Sequence, residues 1–269
     1  MVINEIEKDR AIIFIQKYHY SNIMPRLNKY YLGIFNNNEL LGVITLGWGT
    51  QPLQTIKKIF YKDNFKTNDY LEIGKMCFLP EMNNTNYFGS QVISLLIKWL
   101  KANTDIKFLY TLADGIMGKC GYVYQASNFI YIGSFQTQVY IDNLTGEKIH
   151  PRSAKKLLEE NAIYSNKNKI HWLTYDFCKK KNIDKIVGIM FRYIMPLGKK
   201  NRKIINKYSE YINLNNPKDN DLIFKKRISN GKYEVIDKPN FNMEMMNHST
   251  QKKKKYYQPN IFYYTEVKK

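Results

Sequence analysis

A carboxylate and three glycines follow an apolar run near the middle of the sequence. The run FLYTLA (108–113) ends at Asp114, and Gly115, Gly118 and Gly121 come soon after it. Sheets of α/β proteins present catalytic groups at strand ends, so Asp114 could orient a histidine, accept a proton from an exocyclic amine or bind a metal ion. The glycines would let the backbone approach a ligand closely. A glycine-rich turn without catalytic function is the alternative.

The next segment, YVYQASNF (122–129), is rich in aromatic and amide groups. An amide can form two hydrogen bonds with adenine, and aromatic rings can stack on a base taken out of a duplex. Tyr122, Tyr124, Gln125 and Asn128 are therefore candidate substrate contacts. The alternative is that the tyrosines belong to an ordinary core.

His19 lies in YHYS (18–21), where the first predicted helix should end. A neutral imidazole can act as a general base or as a metal ligand. Its neighbours Tyr20 and Ser21 are candidate substrate contacts. A histidine that only caps the C-terminus of a helix is the alternative.

A loop leads into a clear helix at NTNYFGSQVISLL (84–96). Backbone N–H groups at such a helix start can bind a phosphate. The loop is similar to the Q/R-x-x-G-x-G/A pattern with which GNAT N-acetyltransferases hold the pyrophosphate of coenzyme A. Asn86, Gly89 and Gln91 keep only the shape of that pattern, and a simple helix cap explains the glycine equally well.

These candidates fall at the ends of predicted helices and strands. Hydrophobic periodicity predicts helix, hairpin, strand, helix, strand, short helix and strand, in the segments 4–20, 30–49, 71–80, 91–103, 106–114 and 122–135. Two further helices and a strand are predicted within 150–164, 172–182 and 188–197. The order predicts an α/β fold with a mixed, mostly antiparallel central sheet flanked by helices.

Positive charge is concentrated toward the C-terminus. The chain of 269 residues has a net charge of +19, with 20 basic and 15 acidic residues in 1–178 and 22 basic and 8 acidic residues in 179–269. Such a field attracts nucleic acid. An AT-rich genome, which raises the lysine content without a functional reason, is the alternative. Residues 216–269 lack hydrophobic periodicity, so we expect a domain over 1–215 followed by a basic, irregular or disordered tail.

Other compositional features limit the class of protein. No apolar stretch has the roughly 20 residues that a membrane span needs, and the charged start MVINEIEKDR does not resemble a signal peptide. Three widely spaced cysteines give neither a disulfide framework nor a zinc pattern. We therefore expect a cytoplasmic protein, in the host cell if it is phage-encoded.

Several motifs in order resemble the Mom family of phage DNA-modification proteins. They are YHYS (18–21), LEIGKM (71–76), NTNYFGSQ (84–91) and TLADG with GYVYQASNFIYIG (111–133). In that family an HYS motif, an EL/NR strand, an Asn/Ser-bearing helix start, an Ala-Asp element and a G-x-x-YQA-x-x-x-Y-x-G segment recur in this order. The resemblance covers about residues 10–135, and segments near 149–162 and 191–197 resemble the C-terminal part of one branch.

The resemblance implies a GNAT-like fold and an enzyme that converts adenine N6 in double-stranded DNA to a carbamoylmethyl (acetamido) form, which protects phage DNA from restriction. The functional histidine, serine, aspartate and tyrosine of the family fall on His19, Ser90, Asp114 and Tyr124. Its strand arginine falls on Lys75, which keeps the charge but loses the planar fork.

The resemblance also implies ligands. Acetyl-CoA or another CoA-type or activated donor would lie against Lys75, Asn86, Gly89, Ser90 and Gln91. The family is also connected with iron, and His19 with Asp114 would supply part of an Fe(II) site. The identity of the donor is left open by the sequence.

Two other functions fit the same residues. One is a GNAT acetyltransferase that acts on a protein or a small molecule, with a basic tail that only aids association. The other is a nucleic-acid-binding protein on an inactive GNAT scaffold, which the degenerate glycine loop suggests.

Overall fold

The computed structural model describes residues 1–21, 23–150 and 154–242, with the backbone alone for residues 83 and 84. The chain forms two compact units. Among the described residues, the first comprises 1–138 and 186–240, and the second comprises 139–185 together with 241 and 242. No helix within the described ranges is both long and apolar enough to cross a membrane.

A mixed sheet forms the centre of the first unit. The strands of the chain are Val2–Glu5 (β1), Leu27–Asn36 (β2), Glu39–Trp48 (β3), Tyr70–Phe78 (β4), Phe108–Asp114 (β5), Ile130–Asp142 (β6), Lys148–Ile149 (β7), Ile183–Pro196 (β8), Phe224–Ser229 (β9) and Lys232–Ile236 (β10). The order in the sheet is β1-β2-β3-β4-β5-β8-β6, and β9 pairs with β8 and β10. The pairs β1–β2, β2–β3, β3–β4, β5–β8, β8–β9 and β9–β10 are antiparallel, whereas β4–β5 is parallel.

The parallel strands β4 and β5 part along their length. Residues 70–72 of β4 pair with residues 108–110 of β5. Beyond these positions β4 continues along β3 and β5 continues along β8. A gap therefore opens between the C-terminal halves of two neighbouring strands, where their facing backbone groups are not joined in the parallel ladder.

Helices cover both faces of this sheet. The helices of the first unit span Lys8–Tyr18 (α1), Pro52–Ile59 (α2), Phe88–Asn103 (α3), Tyr122–Ala126 (α4), Lys199–Ile205 (α7) and Ser209–Ile212 (α8), whereas Lys155–Tyr164 (α5) and Tyr175–Lys180 (α6) belong to the second unit. The buried stripe of α3 packs in one cluster with Ile44, and α1 packs in another with Val43. Successive strand residues point to opposite faces, so α3 and α1 lie on opposite sides of the sheet. The predicted fold class is confirmed.

The second unit has its own small core. The end of β6 pairs with β7, and α5 and α6 contribute to a cluster around Tyr140, Leu173 and Phe177. The Tyr140 hydroxyl accepts a hydrogen bond from the Leu173 N–H at 3.1 Å. Asn161, which is fully buried, donates to the Trp172 carbonyl oxygen at 2.9 Å and accepts from the Thr174 hydroxyl at 2.8 Å.

The chain beyond residue 215 differs from the predicted irregular tail. A 3-10 turn at Asp219–Asp221 precedes the β9–β10 hairpin, so the prediction is wrong for 219–236. The hairpin turn contains Asn230 and Gly231, a dipeptide typical of tight turns, and Gly231 has a φ of 78°. The expectation failed because the run KKR (225–227) hides the strand pattern. Residues 243–269, which include KKKK (252–255), lie outside the described residues.

Candidate active site

A cavity of about 300 Å³ lies where β4 and β5 part. Six of the residues selected from the sequence line it: His19, Tyr20, Lys75, Asp114, Tyr122 and Tyr124. Residues 73–76 of β4 and residues 112–114 of β5 form two of its walls, and residues 118–124 complete the lining. The fold thus brings together residues from the segment after α1, from two strands and from α4, which lie far apart in the sequence.

His19 directly follows α1 and is its C-cap residue. Its backbone N–H donates to the Ile15 carbonyl oxygen, and its ring Nδ1 accepts a hydrogen bond from the Ser21 N–H at 2.9 Å. Because a backbone N–H can only donate, a neutral His19 carries its proton on Nε2. The ring stacks on Tyr20, with 4.3 Å between the centroids. This geometry favours a hydrogen-bond donor at Nε2 over the general base expected from the sequence.

Asp114 ends β5 and begins a 3-10 turn. Its Oδ1 accepts a hydrogen bond from the Ile116 N–H at 3.1 Å, which fixes the carboxyl group at the cavity wall. Burial, and after it the charges of Asp114 and Tyr124, raise the pKa of Tyr20. Tyr20 therefore stays a neutral phenol, and the Lys119 ammonium lies 4.2 Å from the centroid of its ring. Asp114, Tyr20 and Tyr124 are thus close enough for their charges to affect one another.

Lys75 connects β4 to the segment that follows α1. Its Nζ donates a hydrogen bond to the Ser21 carbonyl oxygen at 2.9 Å. Ser21 itself is absent from the cavity lining, but its N–H holds His19 and its carbonyl oxygen holds Lys75. Ser21 thus acts through its backbone on two residues that do line the cavity.

Tyr124 is almost fully buried in α4. Its ring packs against Phe129 and Tyr193, and burial raises its pKa. The Thr111 hydroxyl lies close enough to lower that pKa, yet within the described residues the Thr111 oxygen has no partner in hydrogen-bond geometry. Thr111 is itself fully buried on β5. The two hydroxyl groups therefore leave hydrogen-bonding capacity beside the cavity.

The loop and helix start predicted to bind a donor lie outside the cavity lining. α3 begins at Phe88 without a side-chain cap, and the Ser90 hydroxyl donates to the Tyr87 carbonyl oxygen at 2.8 Å. A Cβ added to Gly89 would lie 2.7 Å from Cγ2 of Val123, so this glycine is explained by close packing of α3 against α4. Asn86 and Gln91 are exposed.

Gln125 and Tyr122 contact a later part of the chain. The Gln125 Nε2 donates to the Tyr193 hydroxyl at 3.0 Å and to the Pro217 carbonyl oxygen at 2.9 Å. The Tyr122 hydroxyl accepts from the Asp219 N–H at 3.2 Å. Asn128 adopts a φ of 62° in the exposed turn after α4. The observed contacts of the Gln125 amide are thus with the protein itself.

Gly121 likewise serves packing. It has a φ of 86°, and an added Cβ would lie 2.6 Å from Cε2 of Tyr193. The sequence suggested that the glycine backbone would lie close to a ligand. In the structure it lies close to the side chain of Tyr193 instead. Lys119, in the same stretch, is a cavity residue that sequence reasoning missed, although its position between Asp114 and Gly121 was a usable signal.

Glu72 is a buried carboxyl group on β4 that the sequence analysis did not select. It lies on β4 at the last position paired with β5, and burial raises its pKa to about 7, an effect that the Gly49 N–H partly offsets. Glu72 contributes in turn to the raised pKa values of Tyr70 and Tyr110. The signal in the sequence was a single carboxylate inside the otherwise uncharged start of LEIGKM.

Metal ligation has no support in the described part of the chain. No group of three or more His, Cys, Asp and Glu side chains there is arranged to hold a metal ion. His19 and Asp114 supply two candidate ligands, and the Nδ1 of His19 already accepts the Ser21 N–H. The described residues therefore do not support the Fe(II) site that the resemblance suggested at His19 and Asp114.

Comparison with known proteins gives one family. The model of the Mom protein family matches residues 1–217. A protein of Escherichia phage Mu described as methylcarbamoylase Mom is 29% identical over 199 residues, which is 73% of this chain and 75% of that protein. The residues matched by the family model include the elements that build the cavity.

Solved structures with a similar fold are acetyltransferases. A GNAT-family acetyltransferase from Streptococcus pneumoniae superposes with a TM-score of 0.39 at 13% identity, covering 73% of this chain and 99% of the other. A mutant spermidine N-acetyltransferase from Vibrio cholerae gives a TM-score of 0.40 at 10% identity, covering 77% and 99%. Scores at this level are too low to transfer a donor or a substrate.

Proposed function

Because the chain belongs to the Mom protein family, whose model matches residues 1–217, we propose that it transfers a carbamoylmethyl group to the N6 amine of adenine in double-stranded DNA. Family membership and the methylcarbamoylase name of the phage Mu relative agree with the predicted enzyme class, a transferase. The substrate and the transferred group are the parts of the proposal that need a test.

The observation that carries the proposal is the cavity at the gap between β4 and β5. It collects a carboxylate, an imidazole and three phenols, namely Asp114, His19, Tyr20, Tyr122 and Tyr124. A flat aromatic base with an exocyclic amine offers two N–H donors to a carboxylate and π faces to phenol rings. The base would have to leave the duplex to reach such a site, at a cost of a few kcal/mol.

The proposed reaction moves one proton and one carbon group. The lone pair of N6 forms a bond to the methylene carbon of the donor, the bond between that carbon and its leaving group breaks, and one N6 proton is released. Adenine N6 is a poor nucleophile because its lone pair is delocalised into the ring. A carboxylate positioned to take the proton during bond formation therefore lowers the barrier.

Asp114 is the residue best placed to accept this proton. Its carboxylate lines the cavity, and one of its oxygens accepts the Ile116 N–H, which orients the group. His19, with its proton on Nε2, would donate a hydrogen bond to the base or to the donor. Tyr20 and Tyr124, neutral because burial raises their pKa values, would offer hydroxyl groups and ring faces.

The chemistry of the product restricts the donor. Transfer of the acetyl group of acetyl-CoA would place a carbonyl carbon on N6, whereas a carbamoylmethyl product has a methylene carbon there. The donor therefore needs a leaving group on the methylene carbon of a carbamoylmethyl unit. Lys75, at the cavity wall, would contact an anionic part of such a donor.

The charge of the chain agrees with a DNA substrate. Residues 179–269 contain 22 basic and 8 acidic residues. A basic field of this size concentrates a polyanion near the protein and speeds association. In a phage infection, the modified adenines would protect DNA from restriction enzymes that recognise adenine in their sites.

Mass spectrometry of nucleosides tests the proposal. DNA from cells that produce the protein should contain a deoxyadenosine heavier by one carbamoylmethyl group in place of an N6 hydrogen. Asp114→Asn keeps an oxygen for the Ile116 N–H but cannot accept the proton, so we expect at least a hundredfold loss of rate, the usual size of a general-base effect. Tyr124→Phe and His19→Ala test the neighbouring groups.

Asp105→Asn is the matched control, since it makes the same chemical change at an exposed position outside the cavity lining. It should modify DNA as the wild type does. An unmodified deoxyadenosine pool with soluble, folded wild-type protein would refute the proposed function. Full activity of Asp114→Asn, His19→Ala and Tyr124→Phe would refute the site and leave the function standing. DNA binding without any modification would instead support the inactive scaffold.

A further inference from the structure

The β9–β10 hairpin is a ribbon at the border of the sheet. β9 pairs with β8 through residues 225 and 226, and β10 pairs with β9. Residues 232–235 of β10 are all exposed, so both faces of that strand meet solvent. An antiparallel strand that served the core would alternate between buried and exposed residues. Packing against the core therefore does not explain which side chains β10 carries.

The side chains of this ribbon combine positive charge with exposed apolar groups. Four are basic and one is acidic, namely Lys225, Lys226, Arg227, Lys232 and Glu234. Val235 is 74% exposed, Ile228 is 42% exposed and Tyr233 is 38% exposed. Lysine and arginine bind phosphates, while aromatic and aliphatic side chains contact sugars and bases. Both kinds of contact are available on one narrow element.

The ribbon is joined to the cavity by a short piece of chain. β10 ends at Ile236, and Lys238 follows two residues later. The Lys238 Nζ lies 2.6 Å from the position that a Cβ on Gly118 would occupy, and Gly118 lines the cavity. Two residues span at most about 7 Å. A polymer held by the ribbon would therefore lie beside the cavity of the same unit.

We propose that the β9–β10 hairpin is a DNA-binding ribbon that lies in a groove of the duplex carrying the target base. A two-stranded β-ribbon fits the major groove, which is about 12 Å wide. This inference rests on the proposed function, because it takes double-stranded DNA as the substrate. The ribbon follows residue 217, where the match to the family model ends, so it is an addition to the matched part of the family.

Salt-dependent DNA binding tests the ribbon. The double variant Lys225→Ala with Lys232→Ala should weaken binding of an unmodified 20-base-pair duplex by on the order of tenfold for each lost phosphate contact at 0.1 M salt. The slope of log K against log salt should fall by about 0.9 for each contact. Tyr233→Ala should weaken binding and leave the slope unchanged, because it removes no charge.

The matched control is Lys98→Ala with Lys101→Ala, which removes the same charge from exposed positions of α3 in the same unit. It should change the slope by less than the ribbon variant does. Equal slopes for the two double variants would mean that only total charge matters and would overturn the proposal. So would unchanged DNA affinity of the ribbon variant combined with altered self-association in sedimentation, since the ribbon would then be a protein contact.

The outcomes for ribbon and function are separable. Loss of DNA affinity in the ribbon variant, with no modified adenine even from the wild type, would support the ribbon and refute the proposed function. Normal modification and normal affinity in the ribbon variant would refute the ribbon and leave the function intact. Circular dichroism and thermal unfolding of each variant show whether a loss comes from unfolding.

Discussion

Glu72 gives a quantitative test of the electrostatics within the sheet. Its carboxyl group lies on β4 beside Gly49, with Oε2 3.0 Å from the position of an added Gly49 Cβ. Burial raises its pKa from 4.5 to about 7, and the hydrogen bond from the Gly49 N–H opposes that rise. The ionised form is therefore costly in the folded protein, and replacement by the uncharged isostere Glu72→Gln should remove the cost.

The magnitude follows from the two pKa values. The difference between a pKa of 4.5 and one of about 7 corresponds to about 3 kcal/mol. Below pH 4.5 Glu72 is protonated in both states and contributes nothing to the pH dependence. Between pH 4.5 and about 7 the folded state holds a proton that the unfolded state has lost, so the free energy of unfolding falls as the pH rises. Above pH 7 the full loss is present.

Urea denaturation of the wild type and of Glu72→Gln at pH 4.5, 6 and 8 measures this difference. The free energy of unfolding of the variant, relative to that of the wild type, should rise by up to about 3 kcal/mol from pH 4.5 to pH 8, because glutamine does not titrate. Glu81→Gln, at an exposed position, is the control and should show the same pH dependence as the wild type. A constant difference between Glu72→Gln and the wild type at all three pH values would refute the reasoning.

Two further predictions concern residues around the cavity. Gln125→Ala should lower the free energy of unfolding by about 1–3 kcal/mol, because it breaks the hydrogen bonds to Tyr193 and Pro217. Denaturant titration measures this, and an unchanged stability with a raised KM for DNA would show a substrate contact instead. Cys77 and Cys120 should react slowly with maleimide at pH 7 in the native protein and quickly in urea, because burial raises their pKa values to about 12 and about 11. Rapid labelling of the native protein would contradict this.

Local patterns in the sequence were enough for most of the fold. The buried positions Val92, Ile93, Leu96 and Leu100 repeat with helical spacing and give α3 directly. The hairpin β2–β3 follows from two apolar runs around residues 36–38. The short strand β1 was merged with α1 because it has only four residues, and the β9–β10 hairpin was missed because the run KKR interrupts its apolar residues. Strands of this kind are defined by their partners rather than by their own composition.

The candidate site was predictable in its residue types and unpredictable in its contacts. Asp114, His19 and Tyr124 could be selected because each type has a chemistry and each lies at the end of an element or beside one. The hydrogen bonds around the cavity, in contrast, involve backbone groups or residues that are far apart in the sequence. Gln125 binds Pro217, which lies 92 positions away, and no local pattern indicates that contact.

The Ser21 backbone links the identity of the lysine on β4 to the protonation of the histidine. Its carbonyl oxygen accepts from Lys75 and its N–H donates to Nδ1 of His19, so one peptide segment positions both side chains. A lysine can make this single bond, which does not need the planar fork of an arginine. Because the Ser21 N–H occupies Nδ1, a neutral His19 carries its proton on Nε2, which supports the proposed roles of Asp114 as proton acceptor and His19 as hydrogen-bond donor. The proposed division of roles thus rests on backbone hydrogen bonding as well as on the two side chains.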